Sequence, residues 1–113
     1  MTTAELNRWG AEMEGYTVTT NFKGVQVLDA YNGKSLPKPL MQVPDYCASL
    51  DAAWRVAEKL LGEMLLAEFI GDDEDPEAPQ YICTLVYGDD YTGVAPTPAH
   101  ALMLALYKAQ EAR

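Results

Sequence analysis

A chain of 113 residues has room for one hydrophobic core, because two independently folding domains would need more buried surface than this length supplies. Apolar residues make up 49% and charged residues 22%, which excludes the polar, highly charged regime of disorder and predicts a single domain over residues 1–113. A net charge of −9 excludes the dense Lys/Arg patch that a phosphate backbone requires, so no direct nucleic-acid contact is expected.

Thr2-Thr3-Ala4-Glu5 has the form of a capping box, and Leu6, Trp9 and Met13 recur at helical spacing until Gly15, which predicts a first helix over 3–14. Tyr16–Thr20 and Val25–Leu28 are rich in β-branched and aromatic residues and flank the turn 21–24, the pattern of a hairpin. Asn32-Gly33 is a second turn signal, and the two prolines of "KSLPKPL" allow an edge strand or an extended loop but no central strand. Pro44–Ala48 reads as a turn and Ser49 as the N-cap of a second helix that Gly62 closes. Its predicted apolar stripe is Leu50, Ala53, Trp54, Ala57, Leu60, Leu61 and Met64, with Trp54 in the core and Asp51 paired to Arg55 one turn later.

"EMLLAEFI" is read as a strand, and "GDDEDPEAP" at 71–79 lacks an apolar anchor and reads as a solvated loop. "QYICTLVY" is the clearest strand, Gly88-Asp89-Asp90 a tight turn, and "YTGVA" the antiparallel return. Thr97 caps a last helix that opens on Pro98. Leu102, Ala105, Leu106 and Ala109 form its main buried face, while Met103, Leu104 and Tyr107 widen the apolar surface enough to point to a homodimer through this C-terminal helix. The order is α-β-β-α-β-β-β-α, an α+β domain built on one mainly antiparallel sheet.

No apolar run approaches the roughly 20 residues needed to cross a bilayer, and the first residues lack a basic start and an apolar centre, so a cytosolic protein with no membrane partner is expected. Cys47 and Cys83 stand singly, without metal-ligand spacing. The acidity is uneven. Residues 1–56 hold five basic and six acidic side chains, a balance of −1, whereas residues 57–113 hold three and eleven, a balance of −8.

Two blocks carry a family resemblance: Pro44, Tyr46, Asp51-Ala52-Ala53-Trp54, Val56 and Glu58-Lys59, and the distal Val94-Ala95-Pro96-Thr97-Pro98 with Ala101 and Ala105-Leu106. Together they resemble the small phage and prophage proteins of the phage ABA sandwich domain family, over about residues 5 to 109. The resemblance implies a three-layer α/β/α sandwich and a viral or prophage origin, and brings no residue-level activity with it. Cys47 stands where the family carries Ser or Thr, and the loop at 71–78 is longer and more acidic than the family's.

A nucleophilic cysteine needs a base beside it, and the sole histidine is His100. Cys83 falls in mid-strand, and Cys47 reaches His100 only through tertiary placement. With no phosphate-cradling glycine loop and no Ser-His-Asp order, neither an enzyme nor a cofactor is expected. Asp72, Asp73, Glu74, Asp75 and Glu77, joined by Asp89 and Asp90 of the adjacent hairpin, form the candidate partner-binding face. Their spacing is not that of an EF-hand, and no metal is expected.

Two functional readings follow. In the first, a non-enzymatic phage or prophage accessory protein uses this acidic face to bind and inhibit a host protein with a basic surface. Such a partner would be a nucleic-acid-binding defence complex, engaged in the manner of an anti-CRISPR protein. In the second, an oligomeric small-molecule binder sequesters a nucleotide signal of host defence. Tyr16, Tyr31, Tyr46, Tyr87 or Tyr91 would stack a base, and Lys23, Lys34, Lys38 or Arg55 would meet phosphate. Either acts in the host cytoplasm.

Overall fold

The computed structural model describes residues 2–61, 66–72, 80–87 and 89–112. Helix α1 spans Thr3–Glu14: the Thr2 hydroxyl accepts the Glu5 N–H at 3.1 Å, and Gly15, at φ 106°, ends the helix in the left-handed conformation a C-cap favours. Strands β1 (Tyr16–Thr20) and β2 (Gln26–Tyr31) pair antiparallel, with Tyr16 opposite Tyr31 and a bulge at Thr17/Val18. The Asn21 carboxamide oxygen accepts N–H bonds from Lys23 and Val25 and holds the connecting turn. Asn32 (φ 51°) and Gly33 (φ 84°) make a two-residue turn to the short edge strand β3 (Lys34–Ser35), which completes a first three-stranded sheet.

Helix α2 (Leu50–Leu61) is capped by Ser49, whose hydroxyl accepts the Ala52 N–H at 3.3 Å. Its buried side is Ala52, Ala53, Val56 and Ala57, whereas Trp54 is 37% and Leu50 42% exposed. The expected stripe is corrected in part: Ala53 and Ala57 are buried and Leu60 packs on the core as expected, Ala52 and Val56 join them, Leu50 and Trp54 turn outward, and Met64 lies outside the described residues; α2 packs against α1 and α3. Close helix approach admits Ala there and turns the bulky indole to the flank.

Strands β4 (Leu66–Asp72), β5 (Gln80–Tyr87) and β6 (Asp89–Ala95) form a second antiparallel sheet in that order. Two expectations shift. Gly71 and Asp72 belong to β4, paired with Tyr81 and Gln80, and Asp89 and Asp90 belong to β6, paired with Tyr87 and Val86. Gly62, the expected end of α2, lies outside the described residues.

Helix α3 (Pro98–Glu111) packs against β5, β6 and both other helices, while α1 packs against β1. The fold is α+β, with helices layered against antiparallel sheets, and differs from expectation in dividing its strands between two sheets instead of one. Ala99, Ala101, Leu102, Met103, Ala105, Leu106 and Ala109 of α3 are all buried. Leu104 and Tyr107 pack against the same core, Tyr107 edge-on to Trp9 at 5.4 Å between ring centroids. Of the residues that widen the apolar face, Met103 is buried and Leu104 and Tyr107 are half-buried. Gly93 of β6 lies against α3, where a methyl group would run into the Ala101 carbonyl and lie 2.7 Å from the Ala105 nitrogen.

Candidate functional site

The described part of the acidic face does not converge. Asp72 pairs with Gln80 at one end of β5, while Asp89 pairs with Tyr87 at the other. Seven steps of strand separate them, about 23 Å at roughly 3.3 Å per residue. Asp89 and Asp90 are exposed, and Asp73, Glu74, Asp75 and Glu77 lie outside the described residues. Among the described residues no cluster of three His, Cys, Asp or Glu side chains is placed to hold a metal ion.

The 44–48 turn and the start of α3 do bring Cys47 and His100 to one node. The Thr97 hydroxyl donates to the Cys47 carbonyl at 2.5 Å and accepts the His100 N–H at 3.1 Å. Asn7 ties in the turn as well, donating to the Asp45 carboxylate at 3.2 Å and accepting the Cys47 N–H at 3.1 Å. Burial, and then the charge of Asp45, push the Cys47 thiol up to about 11, so the nucleophilic thiolate is scarce at neutral pH. Burial lowers the His100 pKa, against the opposing pull of Asp45. Cys83, wholly buried, is likewise pushed up to about 11 by burial.

Side chains converge elsewhere, where the end of α1, the β1–β2 ribbon and α2 meet. Glu14, Tyr16, Tyr31, Arg55 and Lys59 line a cleft of about 240 Å³. Antiparallel pairing sets Tyr16 and Tyr31 side by side on one face, their rings 4.9 Å apart and tilted by 50°. Positive charge comes from α2, where Arg55 and Lys59 sit one turn apart on the side facing the end of α1.

Glu14 organises this corner. One carboxylate oxygen accepts Arg55 Nε at 3.1 Å, the other accepts the Tyr46 hydroxyl at 2.5 Å, and the Glu14 backbone carbonyl accepts Lys59 Nζ at 3.0 Å. The Glu14 carboxylate raises the Arg55 pKa further by hydrogen bonding, against a small desolvation. Burial, reinforced by the bond to Glu14, raises the Tyr46 pKa well above that of an ordinary phenol. Arg55 thus pairs with Glu14 rather than with Asp51, correcting the expected i,i+4 pair.

Sequence reasoning had named Tyr16, Tyr31 and Arg55 among the residues able to hold a base and a phosphate, and the fold brings these three together. Tyr46 stands behind the cleft as a support for Glu14, and Tyr91 lies on the second sheet. Glu14 and Lys59 were missed. A signal existed for Glu14: a carboxylate in the last turn of a helix with no basic residue beside it opposes the helix dipole, and such a placement needs a partner from elsewhere. No helix among the described residues is long and apolar enough to cross a membrane. No protein-family model, curated protein or solved structure matches the chain, and the chemistry of the cleft rests on its own residues.

Proposed function

We propose that the protein is a binding module for a planar aromatic anion of nucleotide size, held in the cleft between the β1–β2 ribbon and α2. The observation that carries this reading is the convergence of a tyrosine pair with a guanidinium and an ammonium on one concave surface. Aromatic faces stack on a base of any identity, and cations meet phosphate. Arg55 engages Glu14 through Nε, and no other hydrogen bond occupies its terminal nitrogens among the described residues; these remain for an anion. At about 240 Å³ the cleft falls below the ~300–1,000 Å³ of drug-sized sites, a size that suits one base with its phosphate at the mouth. On this reading a phage or prophage accessory protein withdraws a nucleotide signal from host defence by binding it without chemical change.

The acidic-face reading has the net charge of −9 in its favour. It ranks second because Asp72 and Asp89 stand at opposite ends of β5. Calorimetric titration with nucleoside monophosphates tests the cleft directly. Saturable binding is expected, weakened about tenfold by Lys59→Ala and by Tyr31→Ala, both surface changes that spare the core. Heat that does not saturate, or affinity indifferent to both substitutions, would refute the cleft as the site.

A further inference from the structure

We infer that the cleft selects a guanine base and that Glu14 is the group that reads it; this rests on the cleft being a nucleotide site. The Glu14 side chain is only 11% exposed yet lines the cleft. Arg55 Nε occupies one of its oxygens and the Tyr46 hydroxyl the other. An ionised carboxylate has about four lone-pair positions, so each oxygen retains capacity for a further donor. The two existing bonds come from different elements, α2 and the 44–48 turn, and together they fix the plane of the carboxylate.

A fixed pair of acceptors matches two parallel N–H donors. Among the common bases only guanine presents such a pair on its pairing edge, the ring N1–H beside the exocyclic amino group. Adenine and cytosine each set a ring-nitrogen lone pair beside their amino group, and uracil flanks its single N–H with two carbonyl oxygens. Each of these places at least one lone pair against a carboxylate oxygen, which is costly where water is partly excluded. Selection therefore works by rejection as much as by attraction. Tyr16 and Tyr31 stack on any base, and Lys59 meets any phosphate, so a preference among bases isolates the contribution of Glu14.

The test is calorimetry on the full chain with GMP, IMP, AMP, CMP and UMP. GMP is expected to bind tightest. IMP, which lacks only the amino group, should bind about 10- to 100-fold more weakly, and the other three more weakly still. Glu14→Gln, with folding verified by its melting curve, replaces one acceptor by a donor and should bring GMP down to the level of AMP. Equal affinity of the wild-type protein for all five overturns guanine selection while leaving the nucleotide site in place. Absence of binding by all five overturns both, and a folded Glu14→Gln variant that still prefers GMP overturns the role of Glu14.

Discussion

Glu14 sits where a helix least favours a carboxylate, facing the negative end of the α1 dipole, an effect of about 0.3–1 kcal/mol at an exposed site. Two partners from distant sequence offset it, Tyr46 and Arg55, 32 and 41 residues away. Tyr46 is wholly buried, so its hydroxyl would be an unsatisfied group without Glu14, and Glu14 would lose its more sheltered donor without Tyr46. Tyr46→Phe keeps the ring and deletes that bond. Hydrogen bonds to charged groups contribute about 1.5–3 kcal/mol, and a loss of that size is expected in urea unfolding. A change below about 0.5 kcal/mol would show that the hydroxyl does not hold the carboxylate. The sequence named Tyr16, Tyr31 and Arg55 because their side-chain chemistry is visible in their identity. For Glu14 it offers only an unfavourable place at the helix end, a sign that a partner is needed but not which one, because those partners come from 32 and 41 residues away.

At the scale of elements, caps were the most legible feature. Thr2, Gly15, Ser49 and Thr97 all act where local chemistry placed them, because a cap concerns residues three or four apart. Helix orientation was less legible. The stripe of α2 correctly holds Ala53 and Ala57, but the fold buries Ala52 and Val56 beside them and turns Leu50 and Trp54 outward, since the space between two neighbouring helices decides which side turns inward. The same crowding governs α3, whose backbone lies against β6 at Gly93. Here the pressure falls on main-chain atoms, which cannot step aside as a flexible side chain can. Gly93→Ala is expected to cost about 3 kcal/mol, the upper end of overpacking penalties. Chemical denaturation measures it, and a variant as stable as the wild type would mean that α3 stands off from the sheet.

For the molecule as a whole, the class was legible in the alternation of helical and strand patterns. The division into two sheets was not, because strand pairing is non-local and each hairpin satisfies its own hydrogen bonds wherever it sits. Global stability has its own pH dependence. Burial moves the thiols of Cys47 and Cys83 from an ordinary 9.0 up to about 11. Below pH 9 both thiols are protonated in the folded and the unfolded chain, and stability is unaffected by them. Between the two values the unfolded chain releases these protons first, so stability falls as pH rises, by up to ~1.4 kcal/mol per pH unit for each thiol. Tyr46, shifted in the same direction, deepens the loss at the alkaline end. Urea midpoints measured from pH 8 to 11 should show this decline, and Cys83→Ala should reduce its slope by about half, leaving the share of Cys47; a flat wild-type profile would contradict buried, protonated thiols.

The strand order of the second sheet leaves β6 at an edge, and that edge opens on the exposed Asp89 and Asp90. An unpaired strand is a template on which another chain can crystallise into a fibre, and natural sheets deter this by placing charge on it. A second copy adding to β6 would bring its own negative surface against two carboxylates at the first rungs of the ladder. Two exposed carboxylates at that edge raise the cost of adding a second like-charged strand to it.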